Sequence, residues 1–177
     1  MNPSSFSILY RTLQASKSAT VEANRAWIAP VSVDLESQTF PPINFIINYT
    51  NIGRTPALYL IAGNLSSEFV SGNPSGVESG NTPLPPRLSC DNVAPDKATG
   101  LAIYPSHNSH IFAAAARSVP DYQPLLSRTE TLFIRGCIAY LTFGQPHRVG
   151  FCFYLQPPNQ FIDKWNFLLC KRDNWAD

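Results

Sequence analysis

The chain has 177 residues, 44% hydrophobic and 14% charged. An average soluble domain carries roughly 25% charged residues, so this balance excludes an intrinsically disordered protein and fits one folded domain with one core. Thirteen Lys and Arg against twelve Asp and Glu leave a net charge of +1, and no basic run breaks that balance, so no nucleic-acid partner is expected. Sixteen prolines disfavour long helices, because Pro lacks an amide donor and clashes with the preceding turn.

No apolar run reaches the ~18 residues that span a bilayer, and the opening MNPSSFSILYR has neither the basic start nor the apolar stretch of a signal peptide. The expectation is a soluble, unprocessed chain. Asn48-Tyr49-Thr50 and Asn64-Leu65-Ser66 match the glycosylation acceptor pattern, but without a secretion signal they read as chance.

Ser4 or Ser5 can cap a first helix in which Phe6, Leu9 and Leu13 recur at helical spacing, ending near Asn24. Its apolar stripe is thin. It either lies on the rest of the domain or continues an element outside this chain. Residues 1–25 therefore read as a helical connector and 26–177 as the β-domain. From Trp27 the period changes to alternation, with Trp27, Ala29, Val31, Val33 and Leu35 on the inward parity. Ile43, Phe45, Ile47 and Tyr49 repeat the pattern, and Asn51-Ile52-Gly53-Arg54-Thr55-Pro56 supplies a turn before a third strand over 57–65.

Residues 66–100 are rich in Ser, Gly, Asn and Pro and read as one long loop. Two strands are predicted over 101–104 and 111–116, with a helical turn or two over 120–128. Residues 132–141 alternate with apolar side chains on both parities, the pattern of a central strand covered on both faces. Phe143-Gly144-Gln145-Pro146-His147 reverses the chain into a partner strand over 149–155, and residues 161–170 fold back onto it. The sum is an all-β fold behind a short N-terminal helix, an immunoglobulin-like β-sandwich, with a small β-barrel as the alternative.

Motifs for chemistry are sparse. Gly72-Asn73-Pro74-Ser75-Gly76 places its serine one position late for a hydrolase elbow and reads as a loop. No phosphate-binding glycine motif is present. Asp34 and Glu36 lie on the polar parity of a strand and read as solvated. His147, Cys152 and Cys170 are zinc-type ligands without a knuckle spacing; His107 and His110 read as exposed. Cys90, Cys137, Cys152 and Cys170 read as buried free thiols, with Cys152 and Cys170 the pair to close if any does. Trp165, Phe167 and Trp175 form either a ligand platform or core. No cofactor is expected.

Arg25-Ala26-Trp27-Ile28, Asn51-Ile52-Gly53-Arg54-Thr55-Pro56-Ala57, Gly136-Cys137-Ile138-Ala139-Tyr140, Phe143-Gly144, His147, Phe151-Cys152, Cys170 and Asn174-Trp175-Ala176-Asp177 stand in an order along the chain. This set resembles a widespread group of uncharacterised bacterial membrane-anchored proteins with a C-terminal immunoglobulin-like β-domain. The resemblance implies that Trp27, Asn51, Gly53, Thr55, Pro56 and Gly144 are structural. Gly53 would allow a positive φ, Pro56 would fix the start of the next strand, and Asn51 would bond its own backbone. It also implies a domain at the cytoplasmic face of an inner membrane, anchored only through a segment absent from this chain, which agrees with free thiols.

The functional expectation is a non-enzymatic interaction or sensing module with a protein or small-ligand partner. One alternative is a nucleotide-type sensing domain using aromatics and Arg117, Arg128, Arg135 and Arg148. The other is a metal-binding domain using His147, Cys152 and Cys170.

Overall fold

A computed structural model describes residues 3–36, 43–115, 123–158 and 164–177. In chain order its elements are α1 (Pro3–Asn24), β1 (Ile28–Leu35), β2 (Ile43–Asn51), β3 (Ala57–Ser71), α2 (Pro74–Ser79), β4 (Leu101–Ile103), β5 (Asn108–Ala115), α3 (Gln123–Leu126), β6 (Glu130–Thr142), β7 (Gln145–Gln156), β8 (Asn166–Leu169) and β9 (Trp175–Ala176). The strands form two antiparallel sheets. The small sheet has the order β1-β2-β5 and the large one β4-β3-β6-β7-β8, with β9 also on β7.

The fold is the expected β-sandwich. In immunoglobulin lettering β1, β2 and β5 correspond to A, B and E, and β3, β6 and β7 to C, F and G. Strand β4 departs from D by pairing with β3 and not with β5. The outer edge of β7 is covered by β8 along Phe153–Gln156 and by β9 at Val149 and Gly150, which occupies backbone groups that would otherwise template aggregation.

From Tyr10 to Ala23 every residue of α1 is exposed, so this stretch does not lie on the sandwich. No described helix is long and apolar enough to cross a membrane.

The sandwich interior collects alternate residues of both sheets. Val33, Phe45, Ile47 and Tyr49 face Leu132, Ile134, Ile138, Tyr140, Phe151 and Phe153, all buried. Inward parity is as expected in β2 but not throughout β1. A register shift between Pro30 and Ser32 inserts a bulge, so the inward residue before it is Ile28 and after it Val33, while Val31 is 59% exposed. Pro30 is tolerated because β1 is an edge strand.

The other face of β6 and β7 is also covered, which accounts for the two-sided apolar pattern. Phe133, Cys152, Tyr154 and Cys170 cluster with Val77 there, and Cys137 and Ala139 cluster with Cys90 and Val93. The cover is made of the segment after β3 and the C-terminal segment. Residues 66–100 are not a single loop: β3 runs on to Ser71, pairing Ser66–Ser71 with Arg135–Glu130, and α2 follows. Alternation is hidden there because Ser66, Ser67 and Glu68 carry no apolar signal and a register shift between Gly63 and Ser66 breaks the parity.

Candidate functional site

The covering layer is fastened by two disulfides, Cys90–Cys137 and Cys152–Cys170. The free-thiol expectation is corrected: no free cysteine is found among the described residues, and the Cys152–Cys170 pair is the one expected. Cys137 and Cys152 point to the same outer face of the β6–β7 pair, where Arg135 stands opposite Cys152 and Cys137 opposite Gly150. One bridge therefore ties down the loop and the other the tail.

Further bonds set the layer's shape. Arg135, buried, donates to the Pro86 carbonyl and pairs with Glu68, which holds the loop over the sheet. Arg148 Nε donates to Val93 O at 2.9 Å. Thr82 Oγ1 donates to Asn73 O at 2.7 Å, and the amides of Asn81 and Thr82 donate to Gly76 O at 2.8 and 3.0 Å. On the tail, Asn174 Oδ1 accepts from Cys152 N at 3.0 Å and its Nδ2 donates to Cys170 O at 2.6 Å. Trp175 lies on Gly150, where a Cβ would come within 2.3 Å of Nε1, and Arg87 sits over the indole at 5.0 Å.

Between loop and tail lies an open groove of about 530 Å³. Val77 and Leu84 give it an apolar floor over the Phe133–Tyr154 cluster. Among the described side chains, Arg87, Lys171 and Arg172 line it as cations and Asp173 as an acid. A smaller hollow of about 290 Å³ adjoins at Arg87 and Trp175.

The expected metal ligands are not brought together. Cys152 and Cys170 share a disulfide, whose sulfurs offer no thiolate to an ion. His147 points to the other face of β7: its Nδ1 lies 3.0 Å from Arg25 Nη1, 3.3 Å from the Asp177 carbonyl and 3.9 Å from Asp177 Oδ1. Among the described residues no group of three His, Cys, Asp or Glu could hold a metal ion. His107 Nδ1 meets Pro105 O at 3.1 Å, and the His110 ring stands edge-on to Phe112.

The arginines of the nucleotide reading are spread apart. Arg128 reaches the Pro158 carbonyl, Arg135 is buried under the loop, and Arg148 serves Val93 and lies 4.0 Å from Asp177. Arg117 lies outside the described residues. The aromatic platform also divides: Phe167 is in the sandwich core, Trp165 packs beside it, and Trp175 is on the opposite face of the sheet. Asp34 is exposed and hydrogen-bonded to Ser32 and Asn48, and Glu36 is exposed.

The structural motif residues do converge. Buried Asn51 accepts from the amides of Gly53 and Trp27 at 2.9 and 3.3 Å and donates to the carbonyls of Thr55 and Ile103 at 2.8 and 3.0 Å. Thr55 Oγ1 meets Thr142 Oγ1 at 3.0 Å, and Pro56 directly precedes β3. Gly53 is needed for a reason other than the one expected. It is not among the positive-φ residues; instead a Cβ there would lie 2.3 Å from Arg25 O and 2.5 Å from Trp27 N. Phe143 and Gly144, φ 50° and 76°, make the two-residue turn between Thr142 and Gln145, the sign pattern of a type I′ hairpin.

Sequence reasoning missed the groove. Its cations come from positions more than eighty residues apart, and the two disulfides, the Arg135 and Asn174 bonds and the β7–β9 pairing bring them side by side. The adjacent Lys171-Arg172 after a cysteine was the single local signal. Comparison with protein-family models, curated proteins and solved structures finds no match to this chain.

Proposed function

We propose that the chain is a non-enzymatic interaction or sensing module, the soluble part of a bacterial membrane-associated protein, and that it recognises its partner on the disulfide-fastened layer outside β6 and β7. The observation that carries this reading is the layer itself. Irregular segments with solvent-facing polar side chains are held rigidly over a sheet by two disulfides, a buried Arg135 strut and the Asn174 bonds. Loops presented on a rigid scaffold are the usual form of a recognition surface. The exposed α1 helix, joined to the domain through Arg25, suits a connector between this domain and a membrane-embedded segment.

The disulfides also bear on which side of that membrane the domain faces. The cytoplasmic expectation came from the family resemblance and agreed with free thiols; two closed and buried bridges favour an oxidising compartment instead.

A photo-crosslinking amino acid placed at exposed Ser79 or Lys171, compared with one at exposed Val31 on the small sheet, tests the reading in the native host. The expected result is a discrete adduct from the first two positions and none from the third. Equal labelling at all three positions, or no adduct at any, overturns it.

A further inference from the structure

We propose that Arg25, His147 and Asp177 form a pH-operated latch that fastens the foot of α1 to the β-domain, closed while the His147 imidazole is neutral and released when it takes a proton. The latch goes beyond the reading of the chain as an interaction module and stands whatever partner the domain recognises.

Hydrogen-bond chemistry is the first ground. Arg25 Nη1 lies 3.0 Å from His147 Nδ1. A guanidinium has donors only and keeps its charge in proteins, so Nδ1 has to offer its lone pair. That fixes a neutral ring with its proton on Nε2. The same Nδ1 lies 3.3 Å from the Asp177 main-chain oxygen and 3.9 Å from Asp177 Oδ1, which act as acceptors. It therefore meets a donor and two acceptors and cannot satisfy both kinds at once. A proton arriving on Nδ1 makes it a donor suited to Asp177 and leaves two cations facing each other across the former hydrogen bond. Histidine is the side chain that makes this change between about pH 5 and pH 8.

Burial gives the change its force. Arg25 is 5% exposed and the His147 side chain 14%, so solvent screens the pair little. Arg25 Nε is buried without a hydrogen-bond partner, with Glu22 Oε1 3.2 Å away, and a guanidinium that also loses its Nη1 bond is better placed in water. The groups that face the pair are Glu22 from α1, Tyr140 from β6 and Asp177 after β9, with Arg148 next along β7. Tyr140, whose ring lies 5.6 Å from the imidazole, is held uncharged through this range by burial. Asp177 is the counter-charge that the imidazolium gains, although Arg148 Nη1, 4.0 Å from Oδ2, already draws on it. Glu22 is 58% exposed and accompanies Arg25 outward.

Position decides what the latch controls. Arg25 stands between Asn24, which ends α1, and β1. Ala26, next to it, is fixed by bonds that no proton in this range alters: its amide donates to Thr142 Oγ1 at 3.3 Å and its carbonyl accepts from Tyr140 Oη at 3.2 Å. The start of β1 is thus anchored independently. On the other side α1 is exposed from Tyr10 to Ala23, so packing does not steady that stretch. Releasing the Arg25 side chain from His147, and from the Trp27 ring 3.6 Å beneath it, therefore loosens the helix foot and leaves the sandwich as it was.

Nitrogen NMR of the oxidised, full chain from about pH 8 to about pH 5, at constant ionic strength, tests the latch. At the upper limit the His147 ring should carry its proton on Nε2. On acidification the ring, the Arg25 Nε–H and the amides of residues 22–26 should move together with one midpoint. The α1 amides should gain fast motion, read as a lower heteronuclear NOE, while those of β2 and β6 hold. His147→Gln, whose Oε1 accepts from Arg25 without ever taking a proton, should keep Arg25 in place and abolish the response of residues 22–26. A His107→Gln/His110→Gln variant should retain it. A proton on Nδ1 at the upper pH, Arg25 signals that do not follow the His147 midpoint, a response in His147→Gln as large as in the parent, or its loss in the His107→Gln/His110→Gln variant each overturn the proposal. The first two readings need no variant, so a His147→Gln chain that fails to fold does not spare it. Crosslinks from Ser79 and Lys171 are a separate matter: their failure would remove the interaction-module reading and leave the latch.

Discussion

Asn51 shows how one side chain replaces several turns of secondary structure. Its amide satisfies two backbone donors and two backbone acceptors at the place where β2 ends, the residues before β1 arrive, and β4 approaches. Asn51→Ala leaves four backbone groups, one buried and three part-buried, without this partner, and each buried unsatisfied group costs about 1–3 kcal/mol before relaxation, so a loss of about 3 kcal/mol is expected in urea unfolding. Asn51→Asp should fare no better, because a carboxylate oxygen would then face the carbonyls of Thr55 and Ile103. Gly53→Ala tests the corner by sterics alone: a methyl group 2.3 Å from Arg25 O must push the chain away from the start of β1. Tyr140 gives a pH prediction at the same scale. Burial raises its phenol above the ordinary value of 10, outweighing the backbone bond to Ile28 and the nearby Arg25 charge, and burial raises Tyr49 likewise. The fold thus favours the protonated phenols. Their contribution is whole below about pH 10, where unfolded tyrosine starts to ionise, and is lost as the pH climbs through the higher folded values. Melting temperatures measured from about pH 8 to about pH 12 should fall steeply above pH 10. Tyr140→Phe should make that fall shallower, at a neutral-pH cost of about 1 kcal/mol for the lost bond to Ala26 O.

Elements were legible where side chains alternate cleanly between water and core. β2 has that pattern; β6 and β7 are buried on both faces, and there the two-sided apolar run of β6 announced a strand covered on both sides. What covers it was not legible, because the cover has no periodicity of its own: it is held by disulfides, a buried arginine and backbone bonds between residues far apart in the chain. Two further errors have local causes. The bulge at Pro30 and Ser32 exchanges the inward parity of β1, so Val31 was assigned to the core but is exposed. The register shift after Gly63, with Asn64 at φ 51°, cut the apparent length of β3. The candidate site fared worse than the fold. Single-residue chemistry pointed to His147, Cys152 and Cys170, whereas His147 and Cys152 project from opposite faces of β7. The hairpin between β6 and β7 was legible from Phe143-Gly144, and it supports a test at this scale. Gly144→Val places a β-branched residue at φ 76° with nothing crowding its Cβ, so the penalty is conformational and should be about 1–2 kcal/mol. Gly144→Asn, which tolerates the left-handed region, should recover most of it in chemical denaturation.

For the molecule as a whole, the two bridges decide how the layers stay together and under what conditions. The sandwich interior depends on neither bridge, since its residues pack between the two sheets. The outer layer does depend on them, because it covers β6 and β7 with irregular chain that has fewer apolar residues than the sandwich interior. The Cys90–Cys137 bridge spans 47 residues and the Cys152–Cys170 bridge 18. On chain-entropy grounds these restrict the unfolded state by about 4 and about 3 kcal/mol. In a reducing compartment that stabilisation disappears, and the loss should fall unevenly. Hydrogen exchange of the protein reduced and alkylated should show the amides of residues 76–93 and 170–175 opening, while those of β2 and the β6–β7 ladder stay protected. The crosslinking positions Ser79 and Lys171 would then sit on mobile chain, so a partner that needs the groove should lose affinity in the same reduced sample. Cells provide the matching measurement. If the domain matures on the oxidising side of a membrane, trapping with a maleimide before lysis should leave all four cysteines unlabelled in the native host. If it matures in the cytoplasm, all four label, and the outer layer is open when the partner meets it. Labelling of two cysteines would identify one bridge as closed and the other as open, and tryptic mapping would show which half of the layer is held.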